Sequence, residues 1–166
     1  MQNKKNPTRR DFVSKAAIGT AVLTGAAVAA GAQAGDAETE KKVITSQKAA
    51  LPVGPYSQGI RARGFIFVAG EKGLDPKTGK IVSGGIGPET RQALENIKAI
   101  VEEAGGSLDD AVSSTVHLTD ISEFEQMNRV YAQYFKHQPP GRTTVGVASL
   151  PAGARVEITV TVLARS

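Results

Sequence analysis

The chain has no cysteine. That excludes a disulfide framework, a thiolate zinc site and a cysteine nucleophile. Histidine is nearly absent as well: His117 and His137 are the only two, twenty positions apart. A histidine-based metal cluster is therefore not expected. Neither of the common glycine-rich phosphate loops occurs. An excess of positive charge is missing from most of the chain. The formal charge is +4, from 20 basic and 16 acidic side chains. Residues 1–34 hold five of the basic ones (Lys4, Lys5, Arg9, Arg10 and Lys15) against Asp11, which leaves the rest balanced at 15 of each sign. The folded part thus has no basic surplus to draw nucleic acid or an anionic membrane.

What is present begins with an address. Thr8-Arg9-Arg10-Asp11-Phe12-Val13 sets a twin arginine before an uncharged Ala/Gly/Val tract, residues 16–34. The tract closes on Ala32-Gln33-Ala34, the small-x-small pattern of a signal-peptidase site. This resembles a twin-arginine (Tat) export signal. As a membrane anchor the tract is weak, being mostly Ala, Gly and Thr. The expectation is an exported, periplasmic protein, with a signal over 1–34, a polar disordered lead-in over 35–41 and one domain over 42–166.

Within that domain, alternation and turn residues predict strands over Val43–Ser46, Gln58–Ala62, Phe65–Gly70 and Ala111–Thr119. Arg63-Gly64 reads as a hairpin, and Leu51 to Ser57 as a Pro/Gly loop that presents Tyr56. A first helix opens at Pro88-Glu89, carries Ala93, Leu94, Ile97, Ile100, Val101 and Ala104 on one stripe, and stops at Gly105-Gly106. Asn96 beside the stripe suits a buried or a surface role equally. A second helix, with Ser122 as cap and Glu125 three residues on, buries Phe124, Met127, Val130, Tyr131, Tyr134 and Phe135, with Asn128 one step off the stripe. His117 reads as a half-exposed strand residue. The order β-β-β-α-β-α-β-β, with two helices to cover one face of one sheet, predicts an α+β two-layer fold.

Two further strands carry the chemistry: Arg142 to Val147 and Arg155 to Val162. In the last, Val156, Ile158, Val160 and Val162 share a face, and Glu157, Thr159 and Thr161 share the other. Arg142, Thr144 and Gly146 oppose Thr143, Val145 and Val147. The expectation is that Arg142, Thr144 and Glu157 lie together on the uncovered face. An arginine's fork suits a carboxylate, and a glutamate beside it can exchange a proton with water. A bare, semi-polar sheet face also predicts self-association, with a site where subunits meet.

Gly54-Pro55-Tyr56-Ser57-Gln58, Val68-Ala69-Gly70, Arg91 to Ile97, Pro140-Gly141-Arg142-Thr143-Thr144 and Arg155-Val156-Glu157-Ile158 together resemble the Rid (reactive intermediate deaminase) family, also called the YjgF family. The resemblance implies a chorismate-mutase-like fold and a homotrimer with clefts between subunits. It implies hydrolysis of enamine and imine intermediates, such as 2-aminoacrylate, to 2-keto acids and ammonia, without metal or cofactor. It makes Arg142 the carboxylate-binding residue and Glu157 the residue that positions or activates water. Tyr56 and Asn128 then line the pocket, and Gly70 meets the substrate through its backbone. The chain departs from the family at Thr144, where many members carry cysteine, at Ala69-Gly70-Glu71 in place of Ser-Gly-Gln, and at Gly141 in place of alanine. A second reading is a non-catalytic binder of small carboxylates that keeps Arg142 and not Glu157. A third, a ribonuclease, is disfavoured by the balanced charge.

Overall fold

The computed structural model describes residues 41–165. The expected signal (1–34) and all of the lead-in except Lys41 lie outside the described residues. Seven strands form one mixed sheet: β1 (Lys42–Ile44), β2 (Gly59–Ala62), β3 (Phe65–Val68), β4 (Glu71–Lys72), β5 (Ala111–Leu118), β6 (Gly141–Gly146) and β7 (Val156–Leu163). The strand order is β1-β2-β3-β7-β5-β6, and β4 also pairs with β7. Only β5 and β6 run parallel; every other pairing is antiparallel. Two helices, α1 (Ile86–Glu103) and α2 (Phe124–Tyr131), cover one face. This is the expected two-layer α+β architecture.

The local chemistry explains most boundaries. Arg63 (φ 48°) and Gly64 (φ 75°) make the β2–β3 hairpin, the pair of positive φ values that matches strand twist. Gly105 (φ 78°) and Gly106 end α1 with N–H bonds to Glu102 O and Val101 O, a Schellman closure. Gly106 allows no side chain, since a Cβ there would stand 2.6 Å from Ile66 Cδ1. The core is the α1 stripe (Ala93, Leu94, Ile97, Ile100, Val101) against Val116, Leu118, Val156, Ile158, Val160 and Val162, all fully buried. Each such aliphatic side chain contributes about 1.5–3 kcal/mol by leaving water.

Strand ends shift by a residue or two, and α1 opens at Ile86 rather than at Pro88; three further differences bear on the site. The second helix ends at Tyr131; Tyr134 and Phe135 lie in the turns beyond it, though Phe135 still stacks 4.5 Å from Tyr131. Ser122 does not cap it. Asp120 Oδ1 instead accepts the Ser122 N–H and opens a 3-10 turn, Ile121–Glu123, that leads into α2. The third difference is β4. From Phe67 to Glu71 there are four steps, while their β7 partners Thr161 and Ile158 are three apart. One extra residue around Ala69-Gly70 is a bulge, and it reverses which side of the sheet each later residue faces. Glu71 therefore turns to the helix side with Ile158, and Lys72 to the open side with Glu157.

Asn96 is fully buried, which settles its open role. Its Nδ2 donates to the carbonyls of Lys72 (3.2 Å) and Leu74 (2.9 Å), and its Oδ1 accepts from Gln92 (3.0 Å). It ties α1 to the chain around β4. Asn96→Ala takes a donor from the buried Leu74 carbonyl and one of two from that of Lys72, which also accepts the Leu74 N–H at 2.7 Å, and is expected to cost about 1–3 kcal/mol. Urea unfolding checks this; a loss below about 0.5 kcal/mol would mean water replaces the amide.

Candidate functional site

The expected site residues fall into separate groups, and the first lies on the open sheet face. Its centre is Glu157, held at the start of β7. Two residues earlier, the Arg155 N–H donates to Glu89 Oε2 at 2.8 Å, and the Arg155 side chain reaches Glu123 Oε1 at 2.8 Å. Glu89 is thus a buried tie between α1 and β7 rather than only a favourable charge at a helix start. Lys72 Nζ donates to Glu157 Oε2 at 3.2 Å and to Gly70 O at 3.2 Å. The lysine side chain is almost closed off, at 7% exposed, and the carboxylate is 21% exposed. His117 Nδ1 stands 3.8 Å from the other oxygen, Oε1. Gly70 lies directly on this carboxylate: a Cβ there would come within 2.7 Å of Glu157 Cδ. A side chain there would displace the carboxylate from its place beside Lys72.

The second group lies on the other face, which corrects the expectation that Arg142, Thr144 and Glu157 share one. Parallel register pairs Arg142 with Ser114 and Thr144 with Val116. Ser114 and Val116 are buried under the helices. Glu157 pairs with His117, and His117 pairs with Val145 on the open side. Arg142 and Thr144 are therefore not beside Glu157. They sit across the sheet from it and two strands away, about 10 Å laterally at ordinary strand spacing. The alternation within β6 is as expected, but its apolar members do not face the core. β6 is an edge strand, and Val145 is 40% exposed there.

Around Arg142 the edge of the helix layer forms a recess of about 350 Å³ that Asn128, Tyr131, Phe135 and Pro140 also line. The guanidinium carbon lies 4.5 Å from the Tyr131 ring centroid and 5.6 Å from that of Phe124, within cation–π range. Arg142 has no carboxylate partner among the described residues. Three hydroxyls on this side, Ser114 Oγ, Tyr131 OH and Thr144 Oγ1, are buried without a hydrogen bond. Burial raises the Tyr131 pKa, and the nearness of Ser114 and Arg142 opposes that rise without a bond of good geometry. A cation stacked on aromatic rings, beside unbonded donors, has the chemistry to hold a small anion.

Tyr56 joins neither group. It is 45% exposed on its loop, and its hydroxyl reaches the Val53 N–H at 3.4 Å. The loop is anchored by Gln58, whose side chain bonds Ser46 N and the carbonyls of Ser46, Ala49 and Ala50. Sequence reasoning missed Lys72 altogether and set His117 aside. Only register reveals either, because each gains its meaning from standing opposite Glu157.

The domain is thus a two-layer α+β fold that divides its polar groups, an arginine recess on one face and a lysine–glutamate–histidine group on the other. Similarity to known proteins narrows it. The model of the family described as Endoribonuclease L-PSP matches residues 46–164, and the chain belongs to that family. A RutC family protein of Pyrococcus horikoshii is 52% identical over 118 residues, 71% of this chain and 94% of that protein. The human 2-iminobutanoate/2-iminopropanoate deaminase is 42% identical, over 71% of this chain and 86% of its own length. The crystal structure of E. coli TdcF with bound serine superposes with a TM-score of 0.71 at 37% identity, covering 75% of this chain and 99% of that one.

Glu71 offers a test of this geometry. Its carboxyl is pushed up to about 7, first by burial, with Glu157 adding and Lys72 opposing. Below about pH 4.5 it is protonated folded or unfolded. Between there and about 7 the unfolded chain loses the proton that the folded chain keeps, so stability falls as pH rises, and the penalty is complete above about 7. The change corresponds to roughly 3 kcal/mol. Glu71→Gln is expected to be the more stable protein at pH 8 by up to that amount, with the advantage gone at pH 4. Denaturant unfolding at both values checks it; a gap that does not vary with pH contradicts the buried, titrating carboxyl.

Proposed function

We propose that this protein hydrolyses reactive 2-imino and 2-enamino acids of the 2-aminoacrylate kind to 2-keto acids and ammonia. The single observation that carries this reading is Arg142, a cation without a carboxylate partner among the described residues, stacked on Tyr131 beside buried unbonded hydroxyls. The deaminase names of mammalian relatives at about 42% identity support it. Arg142 holds the substrate carboxylate in a bidentate grip, with Asn128 lining the recess and Thr144 two residues further along β6 on the same face. Glu157 positions water against the electrophilic C2 carbon. Gly70 brings backbone close to the substrate, and Tyr56 closes the pocket from its loop. Orientation and one acid–base group suffice for so reactive a carbon, so the chemistry calls for neither metal nor cofactor.

Arg142 and Glu157 lie on opposite faces of one chain, so the reading requires a second copy. Arg142 of one protomer meets Glu157, Gly70 and Tyr56 of another, and a symmetric homotrimer closes three such clefts. The open sheet face supports this, since Phe65, Phe67, Val145 and Leu163 are each 36–47% exposed there. The balanced charge beyond residue 34 gives nucleic acid no favoured surface. The Arg9-Arg10 motif and the Ala32-Gln33-Ala34 end support export through the Tat route to the periplasm, without stable anchoring once the signal is removed. No helix among the described residues is long and apolar enough to cross a membrane. Replacing Arg9 and Arg10 by lysine is expected to retain the protein in the cytoplasm on fractionation.

The test is a competition assay in which a lyase releases 2-aminoacrylate and semicarbazide traps what survives. Wild type diverts the intermediate to pyruvate; Arg142→Ala and Glu157→Gln each lose at least about 100-fold. Refolding the two inactive variants together is expected to restore part of the activity, because some mixed clefts then carry both native residues. Absence of diversion by wild type would favour a second reading, a non-catalytic receptor for small carboxylates. In that case Arg142→Ala abolishes keto-acid binding in calorimetry and Glu157→Gln does not. The serine found in the related TdcF structure is the observation that keeps this reading in play.

A further inference from the structure

The open-face cluster contains an imidazole that the proposed reaction leaves unused. His117 and Glu157 are direct cross-strand partners on β5 and β7. Nδ1 of His117 is buried, makes no hydrogen bond, and stands 3.8 Å from Glu157 Oε1. The side chain is nevertheless 31% exposed, so its accessible part is the edge that carries Nε2. The two carboxylate oxygens are not equivalent. Oε2 is held by Lys72 Nζ at 3.2 Å, and that ammonium is fixed in turn by Gly70 O. Lys72 reaches this position only because of the bulge before β4. The free oxygen, Oε1, faces the buried edge of the imidazole.

At 3.8 Å the two groups face each other without a hydrogen bond; a small closure of that gap lets Oε1 accept from Nδ1–H, which selects the tautomer and leaves the other nitrogen bare for proton transfer. Lys72 meanwhile occupies Oε2, which leaves Oε1 as the oxygen turned to the imidazole. We propose that His117 is the proton carrier of this site, oriented by Glu157 through Nδ1 and presenting Nε2 to the substrate on the open face. The proposal rests on the deaminase reading above and names the group that moves its proton.

The substrate is the protonated imine of a 2-keto acid. Nε2 takes a proton from water as the water oxygen bonds to C2, and the C=N π pair moves to nitrogen, giving an amino alcohol. The imidazolium then returns the proton to that nitrogen. The C–N bond breaks with its electron pair leaving on ammonia, an oxygen lone pair closes the C=O bond, and the hydroxyl proton passes to solvent. Glu157 stays a carboxylate throughout.

Two measurements on the full chain test the assignment. Nitrogen-15 NMR of the imidazole reads the tautomer without reference to turnover. The proton is expected on Nδ1 in wild type, with a mixture of tautomers in Glu157→Gln. A wild-type proton on Nε2, or a spectrum unchanged by Glu157→Gln, overturns the inference whatever the kinetics show. In the competition assay, His117→Ala is expected to lose about 100-fold in kcat with KM within about twofold. Free imidazole should restore part of that loss in His117→Ala, and none in His117→Phe, where the ring space is filled. Full activity in both variants, with Glu157→Gln inactive, overturns the role of His117 and leaves the deaminase reading standing. A wild type without turnover removes that reading, and this role with it.

Discussion

The alternation of β7 is the constraint on which the rest of the structure depends. Val156, Ile158, Val160 and Val162 are completely buried against the helices, and Glu157, Thr159 and Thr161 point the other way. β7 also lies at the centre of the sheet, paired with β3 and β4 on one side and β5 on the other. A slip of one residue would bury a carboxylate and expose four aliphatic side chains. The register of three neighbouring strands is therefore pinned by the same residues that aim Glu157 at the open face. Stability and site geometry are one requirement here.

The bulge before β4 works against that fixed ruler. With one residue added beside an unshifted β7, Glu71 goes to the buried side and Lys72 goes to Glu157. Burying Glu71 costs free energy, which shows in its raised pKa. Gly70 is the hinge of the arrangement, since any side chain there would meet the Glu157 carboxylate. Asn96 holds the carbonyls of Lys72 and Leu74 from α1.

The proposed self-association draws on the same two-layer design. Two helices cover one sheet face, and the other keeps aromatic and aliphatic residues in contact with water. In the proposed oligomer the arginine recess of one copy supplies what the carboxylate cluster of the next lacks. One association step would then complete the core and the site together.

Much of this is legible in the sequence alone. The α1 stripe, its Gly-Gly stop, the Arg63-Gly64 hairpin and the two faces of β7 all come from period and turn chemistry, which neighbouring residues express without outside help. The motifs around Tyr56, Gly70, Arg142 and Glu157 are legible too, as residues. Their grouping is not. Alternation in β6 divides Arg142 from Val145 but cannot say which set faces the helices, because an edge strand satisfies both choices. The significance of Lys72 and His117 depends on one bulge and one cross-strand register, pairings between residues far apart in the chain. Local sequence determined the elements and the chemical groups. Only tertiary pairing decided which groups meet, because register is set by long-range burial rather than by any residue's own preference.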